Sequence, residues 1–312
     1  MLNISNAENV VKTALDEVFM QGFDMQVAPG TATAATPEVF NQDSTDRNAV
    51  IVEQYAGPGY FEQRAEQQAV PEGRVLVGNQ QTHSVVNYSK GINISKNFKD
   101  DDQHSTYQRT LKQFGINASK SRDRIAFDQF NLGFTTVLSN DGLALFANAH
   151  TLQNSTGTVD NLELGVLTEA NLETLMNSLR NQLTQDGTYA GHAPGALLVP
   201  LELHKEAQEI TKSELRAGTG NNDLNYFSQI YPGLQVFTSG FLNATVGQNG
   251  SDTAYYLLSR NHSMTRWVRQ GLETALVPWQ IQDNNDYRYK AEYREVVAPI
   301  SWEGMAASNG TV

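Results

Sequence analysis

The hydrophobic pattern divides this chain into stretches of helical period, stretches of alternation, and stretches with neither. The longest helical stretch begins at Asp100. Tyr107, Leu111, Phe114, Ala118 and Ile125 recur close to the helical period, while Gln108, Lys112, Lys120, Arg122, Asp123 and Arg124 fill the other faces. The spacing predicts one helix over about 100–132, headed by Asp100, Asp101, Asp102 and Ser105, whose side chains would cap free N–H groups and meet the positive end of the helix dipole. A helix of about 30 residues is about 45 Å long. With so thin an apolar seam, it is expected to lie across a sheet as a beam, outside the core. Phe134 to Leu138 then alternates, Asn140-Asp141-Gly142 signals a tight turn, and Leu143 to Phe146 reads as the returning strand of a hairpin.

Upstream, Val10, Val11, Ala14, Leu15, Val18 and Phe19 predict a short amphipathic helix over Val10–Phe23. From Val27 to Asp46 the sequence turns to Ala, Thr, Pro and Gly and offers no stripe that could build a core, so it reads as an extended arm or a linker. Ala49 to Tyr55 is a strand candidate. Gly57 to Thr82 is polar, rich in Gln and Glu, and punctuated by Gly57, Pro58, Gly59, Pro71, Gly73 and Gly78. A structureless loop of that length is uncommon inside a compact domain. It is expected to be a protruding hairpin that packs on something outside its own domain. Alternation resumes over Thr82 to Ser95.

Downstream, Thr151 to Gly165 is loop-like. Thr168 heads a second helix with an apolar face of Leu172, Leu175, Met176, Leu179 and Leu183, broad enough to sit on a sheet, and Gly187 is expected to stop it. Ala196 to Pro200 is a short buried strand, followed by a helix over about 201–215 and a flexible polar loop over Arg216–Asn225. Leu234–Thr238 and Thr253–Ser259 read as strands, and Met264–Pro278 mixes apolar and basic residues. Tyr287, Tyr289, Ala291 and Tyr293 alternate with Arg288, Lys290, Glu292 and Arg294 in a two-faced strand, and Val296–Trp302 reads as the last one. The tail from Ala306 is small and polar and is expected to fray. Helices and strands together make an α+β chain.

The 312 residues suffice for one large domain or two modest ones. The net charge of -12 reflects scarce Lys and Arg as much as abundant carboxylates, since charged residues make up only 18%. Duplex DNA carries one charge per ~1.7 Å, so this surface is not suited to gripping nucleic acid, although it could line a space that holds it. With no cysteine, disulfides, thiolate zinc sites and cysteine nucleophiles are excluded. The first residues have neither a basic start nor a long apolar run, so no signal peptide is expected. No stretch approaches the ~18 apolar residues of a membrane-spanning helix, so no membrane partner is expected.

Candidate chemistry is sparse. His83, His104, His150, His192, His204 and His262 form no H-x-x-x-H or H-x-H pair, and helix capping accounts for the aspartate triplet better than metal binding does. There is no G-x-S-x-G elbow and no phosphate loop. Gly218, Gly220 and Asn221 lack the lysine and following helix of a phosphate cradle. Acidic pairs such as Glu206 with Glu209 and Glu292 with Glu295 arise by chance on helix or strand surfaces. No residue is assigned a catalytic, cofactor-binding or metal role, and no cofactor is expected. A soluble acidic α+β hydrolase would need a nucleophile with a base, and the sequence offers none. Of the aromatics, Tyr55, Tyr60, Phe61, Tyr226, Phe227, Tyr231, Tyr255, Tyr256, Trp267, Trp279 and Trp302 could serve a core or an interface, and the sequence leaves both open.

One ordered set of segments is more specific. Tyr88–Ser95 (YSKGINIS) runs into Asp100-Asp101-Asp102, Ala118-Ser119-Lys120-Ser121-Arg122 sits mid-helix, and Asp141–His150 (DGLALFANAH) follows. Leu197-Leu198-Val199-Pro200 precedes a helix, and a closing strand ends in Trp302-Glu303-Gly304. Together, over roughly Gln54–Ala307, they resemble the major capsid proteins of tailed bacteriophages, most closely the Mu-type head subunit with its D-G-x-x-L-F-x-x-x-H stretch. The resemblance implies the HK-type capsid fold. Residues 1–48 would be an N-terminal helix and an arm lying along a neighbouring subunit. Residues 49–167 would hold the extended loop (about 57–82) and a peripheral domain with its spine helix (about 100–132). Residues 168–280 would form the axial domain, with a tip loop near 216–225, and 281–312 the return strands and tail. It further implies self-assembly into pentamers and hexamers of an icosahedral shell, separate scaffold, portal and decoration proteins, weakly contacted DNA, a place in the virion capsid, and assembly in the bacterial host cytoplasm. An encapsulin-type compartment shares the fold and is the alternative. Some relatives weld subunits through a lysine on the extended loop, and Gly57–Thr82 contains none.

Overall fold

A computed structural model describes residues 4–25, 27–95, 97, 101, 105–215, 224–277 and 286–311. Helix α1 (Ile4–Phe23) is followed by strands β1 (Asn41–Ser44), β2 (Ala49–Ala56), β3 (Leu76–Ser84) and β4 (Val86–Ser95). Helix α2 (Thr106–Asn131) leads into three two-residue strands, β5 (His150–Thr151), β6 (Thr158–Val159) and β7 (Leu162–Glu163). Helix α3 (Glu169–Arg180), β8 (Pro194–Val199), helices α4 (His204–Lys212) and α5 (Tyr226–Ile230) and β9 (Gln235–Thr238) come next. The chain closes with β10 (Tyr255–Ser259), β11 (Met264–Val277), β12 (Asp286–Pro299) and β13 (Met305–Ser308).

Two sheets carry the architecture. The first is five-stranded, in the order β7-β13-β10-β8-β9, and its alternation sorts residues onto two faces. Ala196, Leu198, Tyr256, Leu258, Met305 and Ala307 face a core shared with α2, while Leu197, Val199, Tyr255, Leu257 and Ala306 face one shared with α3, α4 and α5. The Cα register agrees, pairing Tyr256 with Leu198 on one side and Ala307 on the other. The tail expected to fray is therefore an interior strand. Met305, Ala306, Ala307 and Ser308 are buried between β10 and β7, where small side chains let the flanking layers approach.

The face toward α3 follows the predicted pattern. Thr168 Oγ1 accepts from the Asn171 N–H at 3.2 Å, and Leu172, Leu175, Met176 and Leu179 are buried. The helix ends at Arg180, before Leu183. Gly187 does not stop it, but lies with φ +78° in a later turn, where Gly187 N–H donates to the Thr184 carbonyl. The helix expected over 201–215 is a single 3-10 turn at Leu201–Leu203 followed by α4, and the loop placed at Arg216–Asn225 lies, for residues 216–223, outside the described residues.

The second sheet is four-stranded, in the order β1-β11-β12-β4. The stretch Met264–Val277, whose character the sequence left open, is the long strand β11, antiparallel to β12. Arg266 and Glu295 pair across these strands in the interior. Arg266 Nε donates to Glu295 Oε2 at 2.8 Å and Nη1 donates to Gln42 Oε1 at 3.0 Å. Burial pushes the Glu295 carboxyl up and Arg266 pulls it back only in part.

The first half of α2 lies on this sheet. Leu111 and Phe114 pack against Leu15 and Phe19 of α1 and against Tyr289 of β12. The two helices touch backbone to backbone through a glycine on each. A Cβ at Gly115 would stand 2.1 Å from the Phe19 carbonyl oxygen, and one at Gly22 would stand 2.1 Å from that of Lys112. The second half of α2 corrects the beam expectation. Ala126, Phe127 and Phe130 are fully buried, with Phe130 packed at a tilt between Phe40 (5.6 Å between centroids) and Tyr256 (5.4 Å). The thin seam widens there into a core face. The helix also starts later than expected, at Thr106. Ser105 is its N-cap in left-handed geometry (φ 54°) with no side-chain cap, and Asp100 and Asp102 lie outside the described residues. The hairpin expected over 134–146 reduces to a 3-10 turn at Leu132–Phe134 and one isolated bridge, Leu138 to Ala144, because Leu145 and Phe146 turn into the core.

The stretch 27–46, expected to reach a neighbour, packs on its own chain. Ala32 N–H donates to the Thr238 carbonyl and Thr238 N–H to the Gly30 carbonyl, both at 2.8 Å, and β1 joins β11 in parallel. Ala34 N–H donates to Asp123 Oδ1 at 2.8 Å, and Val39 and Phe40 are buried. The small residues that deprived it of an apolar stripe are what allow this close approach. His262 helps hold it: its carbonyl accepts from Asn41 Nδ2 at 2.7 Å and its ring bonds to the Glu38 carbonyl.

Two outcomes follow. Gly115→Ala should lower stability by about 1–3 kcal/mol despite the better helix propensity of alanine, since a backbone oxygen cannot rotate away. Gly271→Ala, with nothing within 4 Å of the new Cβ, is the control, and equal melting temperatures for the two variants would contradict the contact. Burial, opposed by the bond to Glu38, depresses the His262 pKa from 6.5 to about 4. The unfolded chain therefore takes up this proton first. The stability held above pH 6.5 is lost as pH falls toward 4, an effect of about 3 kcal/mol, and His262→Gln should flatten that part of the stability–pH curve.

Candidate assembly interface

β2 and β3 form a two-stranded sheet on their own, and the residues between them, 57–75, form no strand. Such a hairpin is marginal in water without a covering layer. Val52 and Ala56 are buried on its inner side, Val52 against Trp267 and Ala298, but farther out Phe61 is fully exposed and Tyr60 is 70% exposed, and Val70, Val75 and Val77 are exposed too. Ile51 and Tyr55 extend the uncovered surface along β2. Bare apolar residues on one projecting element mark a contact surface.

The projection is disciplined at its root. Asp186 accepts from the Gly59 N–H, and hydrogen bonds from Thr184 above all, then from Thr188 and this amide, hold its carboxyl below the usual range against burial. Asn154 Nδ2 donates to the Gly57 carbonyl at 3.2 Å and to the Arg74 carbonyl at 3.3 Å, tying the two legs together. Gln153 donates to Gln54, and Tyr189 N–H donates to the Tyr60 hydroxyl at 2.8 Å. Gly57 and Gly78 let these side chains come close, since a Cβ would stand 2.8 Å from the Asp186 carboxylate and 2.6 Å from the Gln153 side chain. The sequence showed a protruding element but not its foot, because the bonding partners lie about a hundred positions away.

Asp141 and His150, the two ends of the D-G-x-x-L-F-x-x-x-H stretch, meet inside the body. His150 Nδ1 lies 2.6 Å from Asp141 Oδ2, its Nε2 lies 3.2 Å from Asn161 Oδ1, and its ring stacks on Trp302 at 5.0 Å. His150 and Asp141 are almost wholly inaccessible, so the pair is a structural clasp. Burial pushes the Asp141 carboxyl up, but His150 and the Leu143 and Thr151 amides together hold it below the usual range. The other histidines are dispersed. His83 stacks on Trp267 at the hairpin root, His192 is half-buried, His204 opens α4 and His104 lies outside the described residues. Among the described residues no three His, Asp or Glu side chains gather where they could hold a metal ion. Glu206 and Glu209 are exposed on α4, Glu295 is buried, and Gly218, Gly220 and Asn221 lie outside the described residues. No described helix is long and apolar enough to cross a membrane. The aromatics fall into core and exposed groups, with Tyr231 half-buried between them. Phe227, Tyr255, Tyr256, Trp267 and Trp302 are core, Tyr55, Tyr60, Phe61 and Tyr226 are exposed, and Trp279 lies outside the described residues.

A family model described as phage capsid protein matches residues 79–308, most of the chain. The chain belongs to the phage capsid protein family. Solved capsids share its fold over nearly the full length. The asymmetric unit of the mature capsid of bacteriophage PhiM1 aligns with a TM-score of 0.54 at 11% identity, covering 92% of this chain and 90% of that one. The capsid of Myoviridae phage XM1 aligns at 0.51 and 11%, covering 91% and 94%. A virus-like particle from Pyrococcus furiosus aligns at 0.55 and 9%, covering 95% and 98%. At these identities the likeness shows the fold, the α+β architecture of tailed-phage capsids. No curated protein sequence matches.

In this capsid protein Asp186→Ala should free the hairpin root without disturbing the body. Trypsin should cut at Arg64 and Arg74 several-fold faster while the melting temperature stays within about 1 °C, since surface changes of this kind cost little. An unchanged cleavage rate would show that Asp186 does not anchor the root.

Proposed function

We propose that this chain is the major capsid subunit of a tailed double-stranded DNA phage, and that copies of it build the pentamers and hexamers of an icosahedral shell around the genome. One observation carries the assembly reading: an ordered body presents a rooted hairpin whose outer apolar residues, Ile51, Tyr55, Tyr60, Phe61 and Val70 among them, the subunit leaves exposed. A neighbouring copy supplies the missing surface. Heterologous contacts that close by rotation make rings, and obligate interfaces of about 2,000–5,000 Å² can cover such an element. The role is structural rather than catalytic.

The rest of the assignment follows the same reading. Residues 57–82 are the extended loop, α2 is the spine of a peripheral domain, and residues 168–280 form the axial domain with its tip near 216–225. Mu-type kinship is supported by the ordered motifs. Scaffold, portal and decoration proteins are separate chains, the packaged DNA is contacted weakly by this acidic wall, and the subunit resides in the virion after assembly in the host cytoplasm. A cargo-holding compartment shares the fold, and the family match favours the phage.

Purified protein should form megadalton particles in electron micrographs, whereas a stable monomer at every concentration would refute the proposal. A chain lacking residues 58–75 should stay folded by circular dichroism yet fail to close shells. With no lysine in 57–82 to weld neighbours, mature particles should dissolve to single subunits on a denaturing gel, and a ladder of linked species would contradict this.

A further inference from the structure

A second exposed surface lies beside the hairpin root. Between the end of α3 and α5 runs a groove of about 610 Å³, walled by Tyr189, His192, Tyr226, Ile230 and the arginines Arg180 and Arg260. Tyr189, Tyr226 and Ile230 are exposed. Arg180 is held in place, since its Nη1 donates to the Tyr231 hydroxyl at 2.8 Å and its guanidinium lies 6.0 Å from the Tyr231 ring centroid. Arg260 is seated by two glycines. A Cβ at Gly195 would come within 2.9 Å of its Cγ, and one at Gly233 within 2.7 Å of its Nη2.

Charge sets this groove apart. No Asp or Glu is among its lining residues, and among the described residues no carboxylate is within ion-pair distance of either arginine. On a chain of net charge -12, two positioned arginines with no described carboxylate beside them form a local cationic seat. Tyrosine and arginine are the residue types most enriched at contact centres. The groove is also continuous with the assembly surface, because Tyr189, on its wall, donates its N–H to Tyr60 of the hairpin.

We propose that this groove receives a carboxylate-bearing stretch of a second copy of the chain, with Arg180 and Arg260 pairing to its acids and Tyr226 and Ile230 packing on its apolar side chains. The occupant is the same chain because the charge is complementary. Acidic residues outnumber basic ones 34 to 22 in this chain, so a neighbouring copy offers carboxylates of the sign the groove selects. Packaged DNA would also satisfy the arginines, but it would leave the apolar wall of Tyr226 and Ile230 uncovered. The inference rests on the shell reading and adds to it a second contact, distinct from the hairpin.

The test uses assembled particles from the full chain, made as an equal mixture of heavy- and light-isotope subunits. A photo-crosslinking phenylalanine analogue replaces Ile230. Irradiation should join the groove to an Asp- or Glu-containing peptide in mixed heavy–light pairs. Links only within one chain, links to packaged DNA, or no links from particles that form normally would each overturn the proposal. In parallel, Arg180→Glu with Arg260→Glu should cut particle yield at least tenfold, and Arg260→Gln alone should cut it less. Circular dichroism should show both variants folded. A double variant that fails to fold leaves Arg260→Gln and the crosslink to decide. Wild-type yield from folded variants refutes the groove contact, while absence of particles from the unaltered chain refutes the shell reading instead.

Discussion

The structure depends on the burial of the C-terminal half of α2. Phe127 and Phe130 fill the space between the 27–46 stretch and the five-stranded sheet, and Tyr256, Phe40 and Phe146 close around them. The segments that meet this part of the helix are mostly irregular and have no ladder to satisfy their backbone. The helix supplies it. Asp123 accepts from Ala34 N–H, Asp128 from Gln248 N–H, and Asn131 donates to the Phe241 carbonyl. Buried backbone groups need partners, and here one helix provides them to segments about ninety positions before and a hundred and twenty after it. Burial raises the Asp123 and Asp128 pKa values, so the arrangement costs desolvation, which the backbone bonds offset in part.

The hairpin is the counterpart of this core. Bonds from the body fix its root, and the apolar residues farther out along it are exposed. A chain could hide such residues by folding the hairpin back onto itself. This one instead pins the root through Asp186, Asn154 and Tyr189, so the apolar surface is held away from the body and ready for a neighbour. Ordering the root before assembly lowers the entropy lost at contact. A loose loop of the same composition would bind more weakly.

Much of the body was legible from period alone. The α3 face with its Thr168 cap and β12 announce themselves because each buries one face, and β8 and β10 do so as short unbroken apolar runs because both of their faces are buried. Three features were hidden, each for a physical reason. Strand β13 is built of Met, Ala and Ser, since it lies between close-packed layers with no room for the bulky residues that signal a strand. The 27–46 stretch looked like a free arm because it docks through its backbone, which composition does not reveal. The core half of α2 was masked by Asp123, Asp128 and Asn131, polar residues that normally mark a solvent face and here serve other segments. The exposed loop was visible as an anomaly, but the Arg180–Arg260 groove was not, because its walls come from separate stretches that only the fold brings together.

The stretch from Asp141 to His150 shows what the family likeness measures. Gly142 takes φ +82° in open solvent, so the turn can reverse tightly, and Leu145 and Phe146 enter the core. His150 then returns to Asp141, stacks on Trp302 and touches Asn161, which accepts from Ala147 N–H and donates to the Leu145 carbonyl. Every residue type in the motif is fixed by packing within one subunit. The family match begins at residue 79, past the tip of the hairpin, where those internal demands take over. The hairpin tip answers to a different constraint, the surface of whichever copy it meets. A stretch held by contacts within one subunit is therefore silent about the contacts that make a shell, and those must be read from what the subunit leaves uncovered.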